Sequence, residues 1–329
     1  MFDLTSTTNH FNKYTAVKSQ LLWSNVIEQE EAVEVSITIP TYRRPKLLLE
    51  AVKSAAQQSG HIKFEIVIVD NDDSREFSKQ IIESLKGIDS NIRYYINDEN
   101  IGMFGNWNRC IELADASRIT ILNDDDLLDK DWLDIVSKYK KYSFVKVDNQ
   151  SFTNQSDIHP YNGDKKIKEK ELKLKDCFWG NINPGSLGIL MDKQVCLDIG
   201  GFNPDLYPTA DYDFLCRYIN SYNSIRVKAN LSYYRWAENE SMKKEVLERF
   251  VCNDFDMRTR FYKQTPLTTL TCRVLSMRYF ERLSRVNPNL DFNVIKEHMN
   301  ITDRDLNIMR IFRIRFFWSV LKDVTKLFL

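Results

Sequence analysis

The chain reads as an α/β protein with a mixed, mainly parallel, Rossmann-like sheet flanked by helices and a helical C-terminal extension. Three observations predict this. Short β-branched apolar runs alternate with amphipathic helical segments between residues 33 and 135. The polar residues of that stretch gather directly after the apolar runs. From about residue 245 strand-like runs give way to helical spacing. Strands alternating with helices are the mark of βαβ units and a parallel sheet.

Residues 1–32 are polar and then helical in character around YTAVKSQLLWSNVIEQEE, so they read as an N-terminal helical extension. EVSITIP is a first strand ended by Pro40, and KLLLEAVKSAAQQSG a first helix with Gly60 as its stop. KFEIVIVD and SKQIIESLKG repeat the pattern, as do NIRYYIND and MFGNWNRCIELADA, and RITILND is a fourth strand. LLDKDWLDIVSKY then suggests a helix and FVKVDNQSF another strand. The main unit spans residues 33–244 and the helical region 245–329.

In open α/β sheets ligands bind beyond the carboxyl ends of the strands. Here those ends carry Pro40-Thr41-Tyr42, Asp70-Asn71, Asn100 and the run Asp124-Asp125-Asp126. Three adjacent carboxylates repel one another unless screened. They fit either an acidic helix cap or a divalent-cation site, and magnesium-type cations take one or two carboxylates plus substrate phosphates. Asp70 and Asn71 fit a tight turn or contacts to a base or ribose. In NDENIGMFGNWNRC, Gly102 allows close backbone approach, while Asn100, Asn106 and Asn108 suit caps or ligand contacts. Asp211 precedes an apolar helical pattern and fits an N-cap or a general base.

Composition narrows the field. With 46 basic and 46 acidic side chains the net charge is zero, which argues against a nucleic-acid partner. Six cysteines are scattered with no CxxC pair, and reduced core thiols in a cytoplasmic protein are expected. The first twenty residues lack signal-peptide character, and no apolar run approaches the roughly 18 residues that a membrane span needs. Neither GxGxxG nor a Walker loop is present.

Taken in order, the segments resemble a family 2 glycosyltransferase of the GT-A fold. VSITIPTYRRPKLLLEAVKSAAQQ resembles the opening strand, turn and helix of that family, and EIVIVDNDDS its VVDDGS segment. NDENIGMFGNWNRCIELA resembles the NxG…N helix, ILNDDDLLDKDWL the DxD region, and IGGFNPDLYPTADYDFLCRY the GGF turn followed by ED…R. The resemblance covers roughly residues 33–240. It implies that Pro40, Thr41, Tyr42, Asp70, Asn71, Asn100, Gly102, Asn108 and Asp124 bind a nucleotide-sugar donor, with UDP favoured. Asp125, supported by Asp126, would hold Mg²⁺ or Mn²⁺, and Asp211 would deprotonate the acceptor hydroxyl in an inverting reaction. Arg217 would be structural. The chain departs from the pattern at Arg43, Asn71, Asn123, Ala210 and Ala237, the last standing where a histidine often assists the metal.

The family also implies bacterial surface polysaccharide assembly of the O-antigen or capsule type, on an acceptor linked to undecaprenyl diphosphate at the cytoplasmic membrane face. The last twenty residues, RIFRIRFFWSVLKDVTKLFL, suit a peripheral helix in a membrane interface, or one docked on its own domain or on a twin subunit as a homodimer contact. Two other activities stay open. A sugar nucleotidyltransferase would carry a Gly-rich loop after the first strand, and PTYRRPKLLL has no glycine. A non-catalytic nucleotide-sugar-binding module is kept open by Asn123 and Ala237.

Overall fold

The structure, a computed structural model, describes residues 4–5, 8–26, 32–163, 166–236, 242–312, 314–327 and 329. Its strands are β1 (Ser19–Ser24), β2 (Val35–Thr41), β3 (Phe64–Asp70), β4 (Ile92–Asn97), β5 (Arg118–Ile121), β6 (Leu127–Leu128), β7 (Phe144–Phe152), β8 (Lys168–Leu172), β9 (Ile189–Asp192) and β10 (Ser224–Arg235). They form one sheet in the order β1-β4-β3-β2-β5-β9-β7-β10-β6, with β8 also on β10. The central run β4-β3-β2-β5 is parallel, and β7 pairs parallel with β10. β9 joins the two blocks antiparallel to both.

The helices are α1 (Pro45–Ala56), α2 (Ser78–Leu85), α3 (Gly102–Leu113), α4 (Trp132–Val136), α5 (Leu174–Cys177), α6 (Lys193–Asp198), α7 (Ala210–Ser221), α8 (Lys244–Phe261), α9 (Pro266–Leu283), α10 (Phe292–His298), α11 (Asp303–Ile311) and α12 (Arg315–Thr325). β2 is buried at all seven positions because helices cover both faces of the parallel centre. Ile37, Ile39, Leu48, Val52 and Ile68 pack in the core on one side. Phe104, Trp107, Phe202 and Phe214 pack in the core on the other. All six cysteines are buried and reduced, as their spacing suggested.

Two segments differ from the sequence reading. Ser19–Ser24, within the stretch read as helical, is an edge strand paired antiparallel with β4. Its backbone completes the ladder that β4 would otherwise leave open at the sheet edge. Leu127–Leu128, read as a helix start, pairs with Ser232 and Tyr233 of β10. α4 therefore begins only at Trp132. The aspartate run is thus no helix cap, since the strand pair separates it from the helix.

Candidate active site

A cleft of about 1900 Å³ opens beyond the carboxyl ends of the parallel strands. Pro40, Thr41, Tyr42, Asn71, Asn100, Gly102 and Asp124 to Asp126 line one part of it. Asp211 and residues of α8 and α9 line another.

The aspartates lie in the turn from β5 to β6, where the Asp126 N–H donates to the Asn123 carbonyl at 3.1 Å. Their environments differ sharply. The Thr41 hydroxyl donates to Asp124 Oδ2 at 2.7 Å, and Arg44 Nη1 donates to Asp124 Oδ1 at 3.3 Å. Burial pushes the Asp124 carboxyl up to about 6, with the Arg44 charge acting against it. Asp126 accepts from the Arg235 N–H at 2.9 Å and from Asn123 Nδ2 at 3.1 Å. Burial, then the neighbouring Asp125 charge, raises its carboxyl to about 7. Asp125 is held through Oδ2 by Arg44 Nη1 at 3.0 Å, and its side chain is the most accessible of the three aspartates lining the cleft.

The asparagines after β3 and β4 form one network. Asn71 Nδ2 donates to Asn100 Oδ1 at 2.8 Å, while Asn71 Oδ1 accepts from Asn97 Nδ2 and the Ile101 N–H, each at 3.1 Å. The Gly102 N–H donates to Asn100 Oδ1 at 2.9 Å. This fixes the loop that brings Asn71, Asn100 and Gly102 to the cleft.

Asp70 and Asn108 are not brought there. Asp70 is buried beneath the cleft, accepting from the Tyr94 hydroxyl at 2.7 Å and the Asp72 N–H at 2.9 Å. Burial raises its carboxyl to about 6. Asn108 Nδ2 donates to the Phe202 carbonyl, and Asn108 Oδ1 accepts from the Phe202 N–H, both at 2.8 Å. A Cβ on Gly201, whose φ is +72°, would come within 2.6 Å of Asn108 Oδ1. Asn108 therefore braces the Gly200-Gly201-Phe202 turn from inside the core. It is a structural residue, not a donor contact.

Asp211 sits in the first turn of α7 behind the N-cap Thr209, so it is not itself the cap. The Gly185 N–H and Asn181 Nδ2 donate to its Oδ2, each at 2.9 Å. The Tyr212 N–H donates to Oδ1 at 2.8 Å. Burial raises the carboxyl to about 6, opposed by these three donors and reinforced by the Asp254 charge. Gly185 presents its N–H from φ +76°, a left-handed conformation that costs glycine little. Arg217 on the same helix is buried against Asp213 at 2.9 Å and donates to the Gly201 carbonyl at 2.7 Å, a structural role.

Several cleft residues escaped the sequence reading. Arg44 was visible only as the residue before a helix-starting proline. Arg235 ties the acidic turn together, donating from Nε to the Asp125 carbonyl at 2.8 Å and from Nη2 to Glu50 at 2.6 Å. Asn123, read as a departure, joins Asp126 to the Gly185 carbonyl at 3.0 Å. Arg258, Arg278, Arg282 and Arg285 belong to the cleft although they are remote in sequence. Ala237 lies outside the described residues.

Among the described residues no group of three or more His, Cys, Asp or Glu side chains is arranged to hold a metal ion. A divalent cation fits this donor set in one way. Asp125 would supply one carboxylate, leaving the other positions to diphosphate oxygens and water, a common arrangement for magnesium-type ions. Asp126 fits poorly as a ligand, because each of its oxygens already takes a hydrogen bond from the fold.

The profile of the family described as "Glycosyl transferase family 2" matches residues 36–193. The chain carries a glycosyl transferase family 2 domain. That stretch holds β2, the acidic turn and the loop that presents Gly185.

Among relatives of the domain is the GalNAc(5)-diNAcBac-PP-undecaprenol beta-1,3-glucosyltransferase of Campylobacter jejuni. It is 25% identical over 177 residues, covering 53% of this chain and 56% of the relative. The chain spans between half and two thirds of the length of the first curated relatives it matches. S. aureus TarS in complex with UDP-GlcNAc superposes with a TM-score of 0.57 at 15% identity, covering 83% of each chain. The mannosyltransferase PcManGT from Pyrobaculum calidifontis, in complex with GDP-Man and Mn²⁺, gives 0.51 at 14% identity over 85% and 84% of the two chains. These likenesses concern the fold, which is the GT-A-type arrangement of a mixed sheet flanked by helices.

Proposed function

We propose that the protein transfers a sugar, with inversion, from a nucleotide-diphosphate sugar to a hydroxyl of a lipid-linked glycan acceptor. A UDP-sugar is the favoured donor. The observation that carries this reading is one cleft shared by an acidic turn and a buried carboxylate, Asp211, held by three donors.

In this reading Thr41, Tyr42, Asn71, Asn100 and Gly102 line the donor end. Thr41 and Arg44 hold Asp124, and Arg44 also holds Asp125. Mg²⁺ or Mn²⁺ held by Asp125 would neutralise charge that develops on the leaving diphosphate. Asp211 accepts the proton of the acceptor hydroxyl at Oδ1, which takes one hydrogen bond where Oδ2 already takes two, as that hydroxyl attacks the anomeric carbon. A carboxyl lifted toward neutrality is a stronger base than an ordinary aspartate while remaining mostly ionised at pH 7. Bonds from Gly185, Asn181 and Tyr212 hold it in one orientation.

The acceptor class draws on the Campylobacter relative, whose name gives an undecaprenol diphosphate-linked substrate. It fits surface polysaccharide assembly, including the O-antigen type, with the enzyme peripheral at the cytoplasmic membrane face. α12 supports that location. Leu321 and Thr325 are buried, the latter with its hydroxyl 2.8 Å from that of Thr271 in α9, so one side is docked on its own chain. The opposite side leaves Phe316 69% and Leu327 83% exposed, with Phe317, Val320 and Val324 between them. Arg315, Lys322 and Lys326 flank this face, with Lys326 paired to Asp323 at 2.8 Å, and the net positive charge suits an anionic lipid surface. No described helix is long and apolar enough to cross a membrane.

The reading is tested by thermal shift with UDP, GDP and dTDP, each with and without Mn²⁺, followed by hydrolysis of the matching nucleotide sugar. A Mn²⁺-dependent shift with one nucleotide is expected. No shift with any of the three sinks the reading.

A further inference from the structure

The cleft is charged oppositely at its two ends. Asp124 to Asp126 mark one end, and Arg258, Arg278, Arg282 and Arg285 of the C-terminal helices line the other, where they outnumber the two carboxylates beside them, Asp254 and Glu281. Arg278 and Arg282 stand four residues apart on α9, so they share a face about 6 Å apart along the axis. Arg285 follows in the turn that ends the helix, its N–H donating to the Arg282 carbonyl at 3.3 Å. Among the described residues no carboxylate makes an ion pair with Arg278, Arg282 or Arg285 within 4.0 Å.

Two of these guanidiniums are held in place by neutral groups. Arg278 donates from Nη1 to the Phe312 carbonyl at 3.1 Å and lies 4.8 Å from the centre of the Trp318 ring. Arg282 lies 4.9 Å from the centre of the Tyr279 ring. Arg258, 3% exposed, gives Nη2 to Asp254 at 3.1 Å and Nε to the Phe178 carbonyl at 2.7 Å. Its Nη1 is buried without a hydrogen-bond partner among the described residues. A buried guanidinium nitrogen left unpaired in a cleft wall is costly and invites an anionic acceptor oxygen. Asn253, next to Asp254 on α8, donates from Nδ2 to the hydroxyl of Thr209 at the start of α7 at 2.9 Å, so this basic wall adjoins the proposed base.

The mouth beside the wall is aromatic. Trp179, which lines the cleft, lies 6.4 Å from Trp318 of α12, and Lys322 Nζ sits 5.3 Å from the centre of the Trp179 ring. The exposed apolar face of α12 begins on the far side of the same helix.

We propose that Arg258, Arg278, Arg282 and Arg285 form a subsite for the diphosphate of an isoprenoid-diphosphate-linked acceptor, whose chain leaves past Trp179 and Trp318 toward α12. The inference rests on the glycosyltransferase reading and adds the residues that select the acceptor. Arginine forks match phosphate oxygens bidentately, and a diphosphate offers enough of them for several arginines at once.

The test titrates the full-length chain with farnesyl diphosphate, farnesol and inorganic diphosphate by calorimetry. EDTA is present to remove metal-assisted diphosphate binding at Asp125. Farnesyl diphosphate is expected to bind at least tenfold tighter than either fragment. The pair Arg282→Ala with Arg285→Ala, both exposed and so safe for folding, should weaken it at least tenfold, and the paired lysine variant less. The Mn²⁺-dependent nucleotide shift should be the same in all three proteins. Unchanged farnesyl diphosphate affinity in the alanine variant, with that shift intact, overturns the subsite alone. Inorganic diphosphate binding as tightly as farnesyl diphosphate overturns the lipid-linked assignment. Absence of any nucleotide shift in the wild type is instead the failure of the glycosyltransferase reading.

Discussion

Asn123 Nδ2 donates to the Gly185 carbonyl at 3.0 Å, joining the acidic turn to the loop that orients Asp211. The Gly185 N–H in turn donates to Asp211 Oδ2 at 2.9 Å. Two segments far apart in the chain, one at the proposed donor end and one at the proposed base, therefore share a single short connection. The residue that departs from the DxD pattern is the one that makes it, because a carboxylate at position 123 could not donate to a carbonyl.

Replacing Asp211 by asparagine removes the proton acceptor. Turnover is expected to fall by about 10²–10⁴-fold, while the nucleotide thermal shift persists. The pH profile gives an independent reading. The base works ionised, and burial has moved its carboxyl up to about 6. The rate should be level above pH 7 and fall about tenfold per pH unit well below 6. An acid limb near pH 4, or normal turnover in Asp211→Asn, removes Asp211 from the role.

Asp125 and Asp126 should separate cleanly. Asp125→Ala is expected to abolish the Mn²⁺-dependent part of the nucleotide shift and the EDTA-sensitive activity, with little change in the melting of the free protein. Asp126→Ala strands the Arg235 N–H and the Asn123 amide, and should cost about 1–3 kcal/mol of stability. Full activity of the wild type in EDTA would count against the metal at Asp125.

Asn108→Ala leaves both backbone groups of Phe202 without partners inside the core. Chemical denaturation should register a loss of about 1–3 kcal/mol. Below the melting transition the KM for the nucleotide sugar should be unchanged, whereas a residue in contact with donor would raise it.

The outward face of α12 is tested by Phe316→Glu, Val320→Glu and Leu327→Glu together, which leaves Leu321 and Thr325 in place. Wild-type protein is expected to float with phosphatidylglycerol vesicles, and the triple variant to stay behind with an unchanged melting temperature. A wild type that fails to float and elutes as a dimer, dissociated by the same changes, would assign the face to a twin subunit.

The amino-acid pattern by itself determined the alternating strands and helices, because β2 and β3 are buried runs bounded by polar turns that local spacing reveals. It also marked the strand ends, and with them Thr41, Asn71, Asn100 and the aspartates, since the topology of such sheets puts their carboxyl ends at the ligand. Local pattern could not tell whether Asp70 and Asn108 point outward or in. Asp70 follows its strand like a ligand contact and Asn108 sits in an asparagine-rich helix, yet both are consumed by partners that only the packing supplies: Tyr94 and Asp72 for one, the Phe202 backbone for the other. Nor could it show Ser19–Ser24 as a strand, because edge pairing depends on a neighbour distant in sequence. Tertiary structure alone decided which oxygens remain available in the acidic turn, how Asp211 is held, and that arginines from α8 and the end of α9 enter the cleft. Each of these depends on segments distant in sequence meeting in space, and residue spacing carries no record of such meetings.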